Sequence, residues 1–167
     1  IGSSRARDVN CLAIALAIYF LENRHSNLEV HFFGNYSDEE RSMINPSKNT
    51  NIVFNNYVDK LDGYKILSKE FDYLLLYGVQ GNKSTVTSKL IEYLGLRIPI
   101  IGICKGNEAE QIISDAGSGE VVNFDSQEIK DALSRAESRK IYFNPNKEFI
   151  LNFTWENQFN KVKKILQ

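Results

Sequence analysis

The 167 residues suit one domain with a hydrophobic core, and 43% hydrophobic against 25% charged residues excludes a disordered chain. A formal net charge of -1 excludes the broad basic surface expected of a nucleic-acid-binding domain. No stretch approaches the roughly 18 apolar residues of a membrane-spanning helix, so a cytoplasmic protein is expected.

The chain opens on Ile1-Gly2-Ser3-Ser4-Arg5-Ala6-Arg7-Asp8, with neither a start methionine nor a basic leader. It reads as if cut from something longer. A helix is expected over 8–23, with Asp8 and Asn10 as N-caps and Leu12, Leu16, Ala17, Phe20 and Leu21 at helical spacing. Residues 28–33 follow as an apolar strand holding His31, for which a plain structural role is expected. The polar stretch 35–51 reads as a connection with one short helix. Then strand and helix alternate: strands at 52–54, 73–77, 98–103 and 120–124, helices at 60–69, 88–96, 107–116 and 126–137. Tyr73-Leu74-Leu75-Leu76-Tyr77 and Pro99-Ile100-Ile101-Gly102-Ile103 do not alternate polar with apolar residues, as befits strands buried on both faces. The fold class predicted is α/β, a doubly wound, mostly parallel, Rossmann-like sheet with helices on both faces. Residues 138–167 differ in character: an aromatic tail closing on a basic helix over 162–166.

Cys11 and Cys104 lie in apolar runs and read as reduced core residues of an intracellular protein. Neither they nor His25 and His31 have metal-ligand spacing, so no metal site is expected. Two histidines and no Ser-His-Asp or Cys-His constellation argue against a hydrolase built on a histidine base.

In doubly wound sheets ligands sit beyond the carboxyl ends of the strands, so the loops there are the ones to search. The first, residues 2–8, joins small residues to Arg5 and Arg7 ahead of a helix. Backbone N–H groups, the helix dipole and two guanidinium forks would suit a phosphate; a simple turn with two solvated arginines explains it as well. It matches neither a GxGxxG nor a Walker motif. The second, residues 81–94, is a polar loop leading into a helix near Ser88. No Glu or Gln stands three residues after Thr87 or Ser88, so no capping box occupies the first amides of that helix. Lys89 and Glu92 share a face, where an anion at the helix start and a hydroxyl-rich sugar beside the carboxylate would fit. An ordinary surface Lys-Glu pair is the alternative. The third, Cys104-Lys105-Gly106-Asn107-Glu108, places Lys105 at the sheet edge, though a plain helix start accounts for it.

Residues 71–101, with Asp72 before an apolar strand, then Ser88-Lys89-Leu90-Ile91-Glu92-Tyr93-Leu94 and a Pro99-led strand, resemble the carboxyl-terminal domain of GT-B glycosyltransferases, the retaining family 4 or group 1. Gly106 to Ile113 and the Ala116-Gly117-Ser118-Gly119 stretch match further pieces, as do Gly2 with its arginines and the strand ending at Gly34. The likeness runs from residue 1 to about 137, with its most specific part at 88–94. It implies a nucleotide-sugar-binding domain over 1–137 and a tail, 138–167, packing on it or on an amino-terminal acceptor domain. The implied function is transfer of a sugar from a UDP-, GDP- or ADP-sugar to a glycan or lipid-linked acceptor. No cofactor and no metal are implied, since basic residues and a helix dipole stabilise the leaving diphosphate. Glu92 would hold the ribose, the Thr87 and Ser88 amides would meet the diphosphate with Lys89 and Lys105 near it, Arg5 or Arg7 would neutralise it, and Val58 would end the turn that meets the base. One departure stands out: the family often has a second glutamate eight residues before Glu92, where this chain has Ser84. The resemblance also implies a fragment inactive by itself, and peripheral contact with the inner membrane face in a full-length protein. A non-catalytic α/β binding module and a nucleotide-sugar epimerase of the same fold are the rival readings.

Overall fold

The computed structural model describes residues 9–81, 83, 84 and 86–165. In chain order these form α1 (Asn10–Glu22), β1 (Val30–Phe33), α2 (Asp38–Ile44), β2 (Ile52–Asn55), α3 (Lys60–Glu70), β3 (Leu74–Tyr77) and α4 (Ser88–Leu96). They continue with β4 (Ile100–Ile103), α5 (Glu108–Asp115), β5 (Gly119–Val122), α6 (Ser126–Glu137), α7 (Lys147–Leu151) and α8 (Trp155–Ile165). The expected elements are present and the fold is α/β. Pairing is parallel throughout, with Val30 opposite Ile52, Leu74 opposite Ile100 and Ile100 opposite Gly119.

The sheet differs from the single one expected. It comes in two pieces, β1-β2 and β3-β4-β5, and no ladder joins β1 to β3 among the described residues. Within the larger piece the period-two rule sorts side chains into two cores. Ile101 and Ile103 join the core under α1 and α6, with Leu12, Leu16, Tyr19, Ile129 and Leu133. Ile100 joins the other, with Cys104 just after β4 and with Leu90, Leu94, Ile112 and Ile113 from α4 and α5. Helices therefore cover both faces of β4, and all four of its residues are buried. Gly102 lets them pack closely there, because a Cβ would press on the Ile113 side chain and the Cys104 sulfur.

Local chemistry sets the helix starts. Ser37 and Glu40 form a reciprocal capping box on α2, Asp59 caps α3 and Asp125 caps α6. α1 corrects the sequence reading: its N-cap is Val9, with no side-chain hydrogen bond, and Asn10 already lies in the helix. Asp8 falls outside the described residues. The face also turns out rotated. Leu12, Ala15, Leu16, Tyr19 and Phe20 are buried, but Leu21 is 67% exposed and lines up with Ile14 and Ile18 on the outer side. Seven residues bring an α-helix back to nearly the same direction, which groups Leu21 with Ile14 rather than with Leu16.

α1 is fixed to α6 by polar as well as apolar contacts. The Glu137 carboxylate accepts from the Tyr19 hydroxyl (2.5 Å), the Ser26 hydroxyl (2.6 Å) and the Asn27 amide (3.1 Å). These donors hold Glu137 below the usual carboxylate range, Ser26 foremost, while burial and then the Glu137 hydrogen bond push Tyr19 up to about 12. Cys11 and Cys104 are both free thiols. Cys11 is half-buried and donates to the Phe124 carbonyl at 3.3 Å, while burial pushes the Cys104 thiol up to about 12. In the tail, Asn144 and Asn146 donate backbone bonds to Gly117 and Ala116, and Phe149, Ile150 and Phe153 join the core beside α5. Phe159 remains 60% exposed beneath the Lys163 ammonium. Among the described residues no helix is long and apolar enough to cross a membrane.

Candidate functional site

A cavity of about 840 Å³ opens between the two sheets, and its polar rim gathers loops that follow strands. Gly34, Asn35 and Tyr36 follow β1; Tyr57 and Val58 follow β2; Ser88, Lys89 and Glu92 belong to α4, which follows β3. This is where a parallel sheet leaves room for a ligand, because chain connections diverge at the carboxyl ends of its strands. Four of the residues singled out from the sequence therefore share one hollow: Val58, Ser88, Lys89 and Glu92. Thr87 and Lys105 stand outside its lining, and Arg5 and Arg7 lie outside the described residues.

Glu92 is not a bare carboxylate. Its Oε1 lies 2.7 Å from the Lys60 ammonium, contributed by the first turn of α3. Glu92 keeps 23% of its side chain exposed and lines the cavity. The Glu92 hydrogen bond raises Lys60 above the ordinary lysine value, and the ammonium also stands 5.8 Å from the centre of the Tyr64 ring. Lys60 is a cavity residue that sequence reasoning missed. A lysine opening a helix beyond a strand and an aspartate cap was the available signal, but the pairing joins residues 32 positions apart and only folding reveals it.

The α4 start is more occupied than the absence of a capping box suggested. Thr87 is the N-cap, and its own hydroxyl accepts the Leu90 amide, at a long 3.4 Å. The weak cap takes the third amide and leaves those of Ser88 and Lys89 without a protein acceptor among the described residues. Lys89 adds a full positive charge where the helix dipole already favours an anion.

The third loop is built differently. The Gly106 amide, in a left-handed turn at φ 82, donates to Glu110 Oε2 at 2.7 Å. Asn107 is buried and its side-chain amide reaches the Val79 carbonyl at 3.2 Å, while the Glu108 amide donates to Lys83. The chain itself has taken up the donors that an anion beside Lys105 would need.

His31 lines the cavity wall, with Nε2 2.9 Å from Glu29, Nδ1 3.1 Å from the Asn55 amide and its ring edge-on to Phe71 at 5.0 Å. Those partners hold the ring in place. Among the described residues no group of three or more His, Cys, Asp or Glu side chains is placed to hold a metal ion. No protein-family model matches the sequence, and no curated protein matches it significantly.

Proposed function

We propose that the chain is the donor-binding domain of a glycosyltransferase, holding a nucleotide-diphosphate sugar at the rim of this cavity. The observation that carries the reading is the convergence of Val58, after β2, with Ser88, Lys89 and Glu92 of α4 on one hollow at the carboxyl ends of parallel strands. In this reading the open Ser88 and Lys89 amides and the Lys89 ammonium take the diphosphate. Glu92, its charge partly balanced by Lys60, accepts from the ribose hydroxyls. Tyr57, 69% exposed beside Val58, offers a ring for the base to stack on. The doubly wound arrangement belongs to the same proposal: parallel strands, α1 and α6 on one face and α4 and α5 on the other are compatible with it.

Calorimetric titration with UDP, GDP and ADP tests the assignment. One of them should bind in the micromolar to millimolar range, and Glu92→Ala should weaken it at least about tenfold, the cost of one charge-assisted hydrogen bond. A folded chain, verified by circular dichroism, that binds none of the three would overturn the reading and leave a non-catalytic α/β module.

A further inference from the structure

Glu92 cannot serve a ribose and Lys60 fully at the same time. The vicinal diol of a ribose presents two hydroxyl donors side by side, and a carboxylate meets them best with both of its oxygens. Lys60 Nζ holds Oε1 at 2.7 Å. An ammonium also competes well against a neutral hydroxyl, because a hydrogen bond between two charged partners is the stronger one. The ion pair therefore stands in the way of the diol.

Of the two partners, Lys60 is the one placed to leave. Its side chain is 65% exposed against 23% for Glu92, so water surrounds the ammonium more than the carboxylate. It sits at the start of α3, where the neighbouring Asp59 carboxylate is already taken by the Leu61 and Asp62 amides at 3.0 and 3.1 Å. The Tyr64 ring, with its centre 5.8 Å from Nζ, gives the ammonium a second and weaker seat. An alternative anion would lie close by. Ser88 and Lys89 precede Glu92 by four and three residues on α4, about 6 and 4.5 Å along the axis. A diphosphate on their amides falls within the swing of a flexible four-carbon stem.

We propose that Lys60 makes this site select nucleoside diphosphates over nucleosides: it blocks Glu92 in the empty site and moves to the diphosphate when one arrives, which frees Glu92 for the ribose. The proposal rests on the donor-site reading given above. A nucleoside carries the diol but no anion, so it must displace the ammonium into water. A nucleoside diphosphate brings the replacement partner with it, and the ion pair is exchanged rather than lost. Selectivity then has a repulsive part, the blocked carboxylate, as well as an attractive one.

Lys60→Met tests the exchange, with uridine, guanosine and adenosine titrated beside UDP, GDP and ADP and followed by amide shifts in nuclear magnetic resonance. The nucleosides are neutral, so loss of a positive charge acts on them chiefly through Glu92. The variant should bind the diphosphate about tenfold more weakly and the matching nucleoside about threefold more tightly, the worth of a partly exposed ion pair. Lys60→Arg, which keeps the charge, should restore the preference for the diphosphate. Nucleoside binding by Lys60→Met that is undetectable, unchanged or weaker than that of the unaltered chain would overturn the proposal, leaving Lys60 a plain phosphate contact or a support for Glu92. In that case the unaltered chain still binds a diphosphate and the donor-site reading stands; a folded chain that binds none of the three sinks both.

Discussion

Two junctions of the same kind, strand then loop then helix, stand side by side on the larger sheet and have been finished differently. After β4, the loop into α5 is closed by its own chain: Glu110 takes the Gly106 amide, Asn107 is buried against Val79, and Glu108 holds Lys83. After β3, the loop into α4 ends in a long Thr87 cap, leaves the Ser88 and Lys89 amides open and faces a cavity. A helix start becomes a binding feature only when the chain has not already supplied the acceptors. Both loops carry a lysine, so charge alone does not separate them.

The widest contrast is in stability. Ile103 is fully buried at the end of β4, beneath the closed junction, and Ile103→Ala should cost about 3 kcal/mol in urea unfolding, through lost burial and the cavity left behind. Tyr57→Ala, at the open rim, should change stability by less than about 0.5 kcal/mol. Equal costs would mean that the rim is as much a part of the core as β4. The contrast in binding is next. Glu92→Ala should weaken nucleotide-diphosphate binding at least about tenfold, roughly 1.4 kcal/mol, while Glu110→Ala leaves the affinity unchanged. Equal losses would move the site to the wrong junction or to both.

Glu110→Ala has its own effect. Removing the acceptor at 2.7 Å should cost about 1 kcal/mol and speed exchange at the Gly106 amide. The Glu137 seam between α1 and α6 gives a pH reference remote from both junctions. Its carboxyl is held below the ordinary 4.5, so its contribution is complete above that value and is lost as pH falls through the lower folded value. Glu137→Gln should flatten that part of the acid limb of a stability-pH curve; for so exposed a group the effect, after screening by water, is about 1 kcal/mol or less. An unchanged acid limb would show that the seam carries no net ionic contribution. Among the helix-start and seam changes the smallest is Thr87→Ala, which should cost about 0.5 kcal/mol by thermal melting, because a 3.4 Å cap is weak. A cost above that of Glu110→Ala would reverse the account of which junction is closed.

The sequence by itself determined the order and kind of the elements. Runs such as 73–77 and 98–103 are apolar without alternation and short, the pattern of strands buried on both sides. It placed the starts of α3 and α6, which Asp59 and Asp125 cap, but not the cap of α1, which is Val9 rather than Asp8 or Asn10. It misjudged the exposed side of α1, since 12–21 are nearly all apolar and periodicity cannot orient a stripe that goes all round. Which residues share the cavity was only partly legible. Ser88, Lys89 and Glu92 are neighbours on one helix and could be read together, but Lys60 reaches Glu92 from another helix across the fold. The tertiary structure alone decided that the Gly106 amide is taken, that Ser88 and Lys89 remain open, and that the sheet divides between β1 and β3. The reason is physical: periodicity and capping act within a few residues, whereas pairing, ion pairs and gaps depend on which distant segments the fold brings to one another.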